Sequence, residues 1–284
     1  MNPTINAIRL GVARGWTEFK IFYLDLMQGL VPMAVLALLL VGVLWFQRDT
    51  HVGGVSLALL TLPGLLAMLL ANEGFSSVAR FLSSDKEDGT LLRAKALPQG
   101  MVGYLIGRVV LILLATSLDL VLVFVPSLFV VPGLLADIDA ARLLTFGWVV
   151  VLGLLATAPM GAVIGSLVKS AGAGLGLTIM PLLALVAISG IFYPIRAFPV
   201  WVQWIAQVFP IYWIGLGLRS AFAPPAAAVV EIGGTYRPLI TLLVLAAWSV
   251  AGLLLTPGIL RRMAQRVTGS EIEVARQRRM VGGY

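Results

Sequence analysis

Long apolar runs, separated by short polar or proline-broken stretches, set the pattern of this chain. A helix needs roughly 20 apolar residues to cross about 30 Å of hydrocarbon. Six runs meet that length: about Leu26 to Phe46, Val55 to Ala71, Met101 to Val125, Leu143 to Val168, Ala171 to Phe192 and Leu239 to Leu260. The second can continue as helix beyond the bilayer. The runs are continuous rather than short and alternating, which favours helices over a barrel. The pattern predicts an all-α integral membrane protein: a six-span domain over residues 26–260, an N-terminal segment 1–25 and a basic tail 261–284.

The segments outside the spans carry patterns of their own. Ile5, Ile8, Val12, Trp16, Phe19 and Tyr23 recur at spacings of 3 and 4, one face of an α-helix. Asn6, Arg9, Thr17 and Lys20 lie elsewhere on the wheel. This predicts an amphipathic interfacial helix in the inner headgroups, anchored by Trp16, with its polar side free to dock a partner. The connection ARFLSSDKEDGTLLRAKALPQG, residues 79–100 with the loop itself at 80–100, offers Ser83, Ser84 and Asp85 as caps and Gly89 as a positive-φ stop. A short helix from about Thr90 through Lys95 follows, ended by Pro98. It is either a groove-seeking element or a solvated loop.

The stretch IFYPIRAFPVWVQWIAQVFPIYW, residues 191–213, is apolar yet broken by Pro194, Pro199 and Pro210 and loaded with Trp201, Trp204 and Trp213. Val200, Trp201, Trp204, Ile205 and Val208 form a helical stripe too short to cross. The expectation is a fifth span ending at Pro194, then a re-entrant hairpin over 193–213: two short helices joined at Pro199, with indoles at headgroup depth. The alternative is an interfacial loop. Gly161 and Gly165, and Gly172 and Gly176, are spaced to let helices approach closely, within one subunit or between two.

Composition agrees: 60% of residues are hydrophobic and 12% charged, too few polar groups to cover a soluble domain. With both ends placed inside, fifteen Lys and Arg lie on the cytoplasmic side and five outside. That bias orients the chain with both termini cytoplasmic. It also accounts for the net charge of +7 without nucleic acid. The chain has no cysteine, so thiol chemistry is excluded.

Candidate chemistry is sparse. GAVIGSLVKS, residues 161–170, lacks the Gly before Lys that a phosphate loop requires. His51 is the single histidine, beside Asp49. The acidic residues Asp85, Glu87 and Asp88 are interrupted by Lys86, so no metal site is expected. Asp119 reads as the one ionisable residue well inside a span, a functional candidate unless Thr116 and Ser117 satisfy it.

Two motifs carry a resemblance. DKEDGTLLRAKALP, residues 85–98, and SGIFYPIRAFPVWVQWIAQVFPIYW, residues 189–213, resemble those of the permease subunits of type-2 (type V) ABC exporters. The resemblance covers nearly the whole chain, which looks like the bacterial half-size form related to drug, antibiotic, polysaccharide and lipid exporters. It implies a permease in the bacterial cytoplasmic membrane, paired with a second copy or a paralogue. Two separate nucleotide-binding ATPase subunits would hold ATP and Mg²⁺, leaving this chain with no cofactor or ATPase site. It implies that Glu87, Asp88, Gly89, Thr90, Leu91 and Arg93, with Arg9, Trp16 and Lys20 of the first helix, contact the ATPase. Pro194, Pro199, Trp201, Trp204 and Pro210 would form the re-entrant element. Cargo would leave along the subunit interface or into the outer leaflet. The competing readings are a membrane-embedded transferase acting on lipid-linked substrates and a secondary carrier using Asp119.

Overall fold

A computed structural model describes residues 3–52, 54–167 and 171–266. Helix α1 spans Pro3–Tyr23. The Asp25 carboxylate then accepts from the backbone N–H groups of Met27 (3.1 Å) and Gln28 (2.7 Å), starting a π turn at Leu26–Leu30 that runs into α2, Val31–Gln47. A two-residue hairpin, β1 (His51–Val52) against β2 (Val55–Ser56), reverses the chain. Next come α3 (Leu57–Asn72), a π-helical turn at Glu73–Ser77 and α4 (Val78–Glu87), which run on as one rod.

The chain continues through α5 (Thr90–Ala96), α6 (Gly100–Val130), the short α7 (Leu134–Asp137), α8 (Ala140–Leu167) and α9 (Ala171–Ile188). Then come α10 (Val200–Val208), α11 (Pro210–Phe222) and α12 (Pro238–Arg266). Among the described residues, five helical stretches are long and apolar enough to cross a membrane: Leu26–Gln47, Leu57–Asp85, Gly100–Val130, Ala140–Leu167 and Pro238–Thr256. In α9 the described apolar stretch is the shorter Thr178–Ile188.

The rod α3–α4 is the centre of the bundle. Leu62, Leu66, Leu70 and Ala71 of α3 are fully buried, and Phe75 of the π turn nearly so. Helix α8 comes close to its backbone at Gly161 and Gly165. A Cβ on Gly161 would collide with the Phe75 carbonyl, and one on Gly165 would come 2.8 Å from the Ala79 carbonyl. Gly161 and Gly165 therefore pack within this chain. Gly176 has open space around it, and the surroundings of Gly172 lie outside the described residues.

Helix α11 fills the other end of the core. Every residue from Pro210 to Leu218 is buried, against α3, α8 and α12. At 13 residues it is about 20 Å long, too short to span. Arg219 ties this end together by pairing with Glu231 (2.6 Å) and donating to the Gly190 carbonyl (3.1 Å). Tyr236 donates to the Pro224 carbonyl (2.9 Å); burial, with Glu231 nearby, pushes its hydroxyl up to about 12.

Three expectations need correction here. Helix α9 stops at Ile188, not at Pro194, because Gly190 turns the chain at φ +69°. A short 3₁₀ turn, Ile195–Ala197, and α10 flank Pro199 as expected, but the chain does not stop at Pro210: a second joint at Phe209–Pro210 leads into α11. Pro199 caps α10 and Pro210 opens α11 as its first residue, where a missing N–H costs nothing. The expected caps Ser83, Ser84 and Asp85 lie inside α4, which continues to Glu87.

Overpacking the α8 seam should destabilise the bundle selectively. Gly161→Leu is expected to cost about 1–3 kcal/mol. Gly147→Leu, where no atom lies within 4 Å, should be silent. Thermal unfolding of the two variants in detergent, followed by size exclusion, makes the comparison.

Candidate functional site

The basic end of the bundle is organised by one guanidinium. Arg108, in the third turn of α6, pairs with Asp85 of α4 through both nitrogens of its fork, with Nε 2.8 Å from Oδ2. Its third nitrogen reaches Glu18 of α1 at 2.6 Å. Tyr104 donates its hydroxyl to the same Asp85 carboxylate (2.7 Å), and Arg14 pairs with Glu18 one turn away (2.7 Å). The Arg108 guanidinium also sits 5.0 Å from the centre of the Phe81 ring. Three helices distant in sequence are clamped by one planar, bidentate-capable cation, a role lysine could not fill.

The clamp works because α1 comes unusually close to α6. Gly11 and Gly15 lie on Gly103 and Gly107: a Cβ at Gly11 would come 2.6 Å from the Gly103 carbonyl, and one at Gly15 2.5 Å from that of Gly107. The two helices run in the same direction along these turns. The predicted stripe is not what docks. Ile5, Ile8, Val12 and Trp16 are exposed, and of the stripe only Phe19 is fully buried. Trp16 stacks on Phe19 (5.9 Å), with Lys20 over its ring (5.8 Å), and Arg9 is exposed.

Helix α5 is seated beside the clamp. Gly89, at φ +70°, takes the left-handed turn between α4 and α5. Leu91 and Ala94 are buried against Leu82, Tyr104 and Ala162. Arg93 stays exposed and donates back to the Asp88 carbonyl (3.0 Å) and toward Thr90 Oγ1 (3.5 Å), which ties the start of α5 to the end of α4. Ser84 donates to the Asp88 carboxylate (3.3 Å). The side chain of Glu87 lies outside the described residues.

At the opposite end, Trp201 and Trp204 of α10 are 66% and 70% exposed, as are Val200 and Val208, whereas Val202 and Ala206 face inward. Pro194 and Pro199 are exposed and Pro210 is buried. His51 is exposed, its Nδ1 3.0 Å from the Asp49 carbonyl. Half-buried Asp119 is not alone inside a span: Glu73, in the widened turn of the rod, lies in one too and is buried. Ser117 donates to the Leu113 carbonyl, not to Asp119, and Thr116 Oγ1 has no partner among the described residues.

The basic-end helices are thus clamped together, and a short helix that exposes Arg93 stands between the second and third long ones. The description "ABC-2 type transporter" belongs to a family model that matches residues 12–223. The chain belongs to the ABC-2 type transporter family. It is a membrane subunit of an ABC transporter, multi-pass, from a family that works with ATP-binding subunits. The match takes in α5 and α10–α11 and ends one residue after α11. Among curated proteins no match is found.

Sequence reading missed Glu18, Asp85 and Arg108 as one unit. It also missed Gly11, Gly15, Gly103 and Gly107, although their four-residue spacing is as legible as that of Gly161 and Gly165.

Removing one partner of the clamp should strand the others. Arg108→Ala is expected to cost about 3–5 kcal/mol, because Asp85 keeps a buried charge. Arg108→Met combined with Asp85→Leu should recover most of it. Amide hydrogen exchange in α1 and α5 reads both changes, with protection lost in the single variant and regained in the double.

Proposed function

We propose that this chain is the translocation subunit of an ATP-driven exporter, in which a separate nucleotide-binding subunit holds ATP and Mg²⁺. Two such ATPases sit beneath a pair of permease chains, each with six spans and α9 as the fifth. The helices α10 and α11 re-enter the outer leaflet, with Trp201 and Trp204 at headgroup depth. Both termini are cytoplasmic, in a bacterial cytoplasmic membrane. The cargo is amphiphilic: a drug, an antibiotic or a lipid-like molecule.

One observation carries the reading. Helix α5 exposes Arg93 at the basic end, while Leu91 and Ala94 lock it to Tyr104, a partner of the Arg108 clamp. A push on α5 or α1 therefore reaches α4 and α6 together. ATP binding shifts the permease between states only through contacts that differ between them. Gly89, Thr90, Arg93, Arg9 and Lys20 stand where such contacts form, with Glu87 and Asp88 beside them in sequence.

Co-purification with a nucleotide-binding subunit and vanadate-sensitive, cargo-stimulated ATPase activity are the expected results. Arg93→Glu should lower stimulated ATPase roughly tenfold by setting a like charge against the contact, with elution unchanged. Uphill transport by the isolated chain in vesicles without nucleotide would overturn the reading.

A further inference from the structure

Glu73 lies in the π turn of the central rod, 6% exposed, with one carboxylate oxygen partnered and the other bare. Oε1 accepts from Ser77 (3.0 Å), whose hydroxyl accepts in turn from Arg80 (2.7 Å). Oε2 has no partner among the described residues, nor do the buried hydroxyls of Ser76, in the same turn, and Thr116, on α6. Helix α6 packs on this turn. Asp119 lies on the same face of α6 as Thr116, one turn further on, near enough to feel both Glu73 and Arg80. It is half-buried, and its carboxylate has no hydrogen bond or ion pair among the described residues.

The charges do not balance. Arg80 is one cation facing two carboxylates. Tyr23 faces the cluster from α1, but burial, followed by the charge of Glu73, holds its hydroxyl above its ordinary range, so it stays neutral. Residues 143–167 of α8 and 171–188 of α9 contain no titratable side chain. With both carboxylates ionised, one negative charge is left over at membrane depth, where an uncompensated charge is costly. The layer is therefore built to take one more positive charge. Glu73 Oε2, Ser76 Oγ, Thr116 Oγ1 and the Asp119 carboxylate offer more acceptors than the three donors of an ammonium need, so both carboxylates can share it.

We propose that this layer binds the ammonium group of an amphiphilic primary amine, held between Glu73 of the rod and Asp119 of α6. A proton occupies the place when no amine is bound. The half-buried Asp119 is the side from which the amine enters. This rests on the transport reading for its purpose and narrows the cargo class, but the binding itself needs no nucleotide and no ATPase.

Equilibrium binding of radiolabelled octylamine to the full-length chain in nanodiscs tests it. Octylammonium should bind saturably, and octanol of equal chain length should not compete. Octyltrimethylammonium, which has no N–H, should bind more weakly. Glu73→Gln and Asp119→Asn should each weaken binding by about tenfold or more, the scale of a hydrogen bond to a charged group. Arg80→Gln should strengthen it several-fold, because a competing cation is gone. Lower pH should weaken wild-type binding as protons fill the site.

The opposite sign expected for Arg80→Gln separates recognition from damage to the fold. Wild-type-like binding by Glu73→Gln and Asp119→Asn would overturn the proposal, as would weakening by Arg80→Gln. Displacement by sodium, but not by N-methylglucamine at equal ionic strength, would assign the site to a metal ion and overturn it too. Failure here leaves ATPase coupling at α5 standing, and failure of that coupling leaves this binding intact.

Discussion

Lipid tails are as apolar as leucine, so helices in a bilayer gain little by hiding leucines from it. What holds them is close fit and the few polar contacts that cross between them. This bundle meets that constraint with backbone-to-backbone seams. Gly11 and Gly15 of α1 rest on Gly103 and Gly107 of α6, and Gly161 and Gly165 of α8 rest on the π turn and α4. Leucine is left to fill the centre of the rod and to face outward, and it does both here.

The seams decide where the ionic contacts fall. With α1 drawn onto α6 by its glycines, Glu18 reaches Arg108, and the same guanidinium reaches Asp85 on the rod. Glu73 stands twelve residues above Asp85 on the rod and Asp119 eleven above Arg108 on α6. Both separations are roughly 17 Å at the rise of a helix. Two polar layers are thus strung on the same pair of helices, one at the basic end and one deep in the bundle. A shift of the rod against α6 disturbs both together.

How much of this was legible in the sequence followed the range of the interaction. Helix α5 was readable because Gly89 and Pro98 act on their own neighbours. The helical face of α1 was readable for the same reason. What that face does was not, since the helix docks through its glycines and leaves Ile5 and Val12 exposed. Asp85 looked like a cap because serines precede it, but its partner lies 23 residues away on another helix, and pairing at that range depends on helix phase. Glu73 escaped notice because the apolar run ends before it while the helix does not. The joint at Pro210 was missed because a proline reads equally as the end of one helix and the first residue of the next. Periodicity placed a short helix between the second and third long ones, and the family match spans it.

The π turn at Glu73–Ser77 has a geometric consequence for everything beyond it. A π turn takes about one residue more than an α turn, so five residues wound this way lag a regular helix by roughly a quarter-revolution. Wound as plain α-helix from Leu57, the rod would swing Asp85 around its axis and away from the guanidinium it now meets. The widened turn acts as a phase gear: it sets the azimuth at which the lower half of the rod meets its neighbours, and a single residue of winding gained or lost there re-aims that whole half.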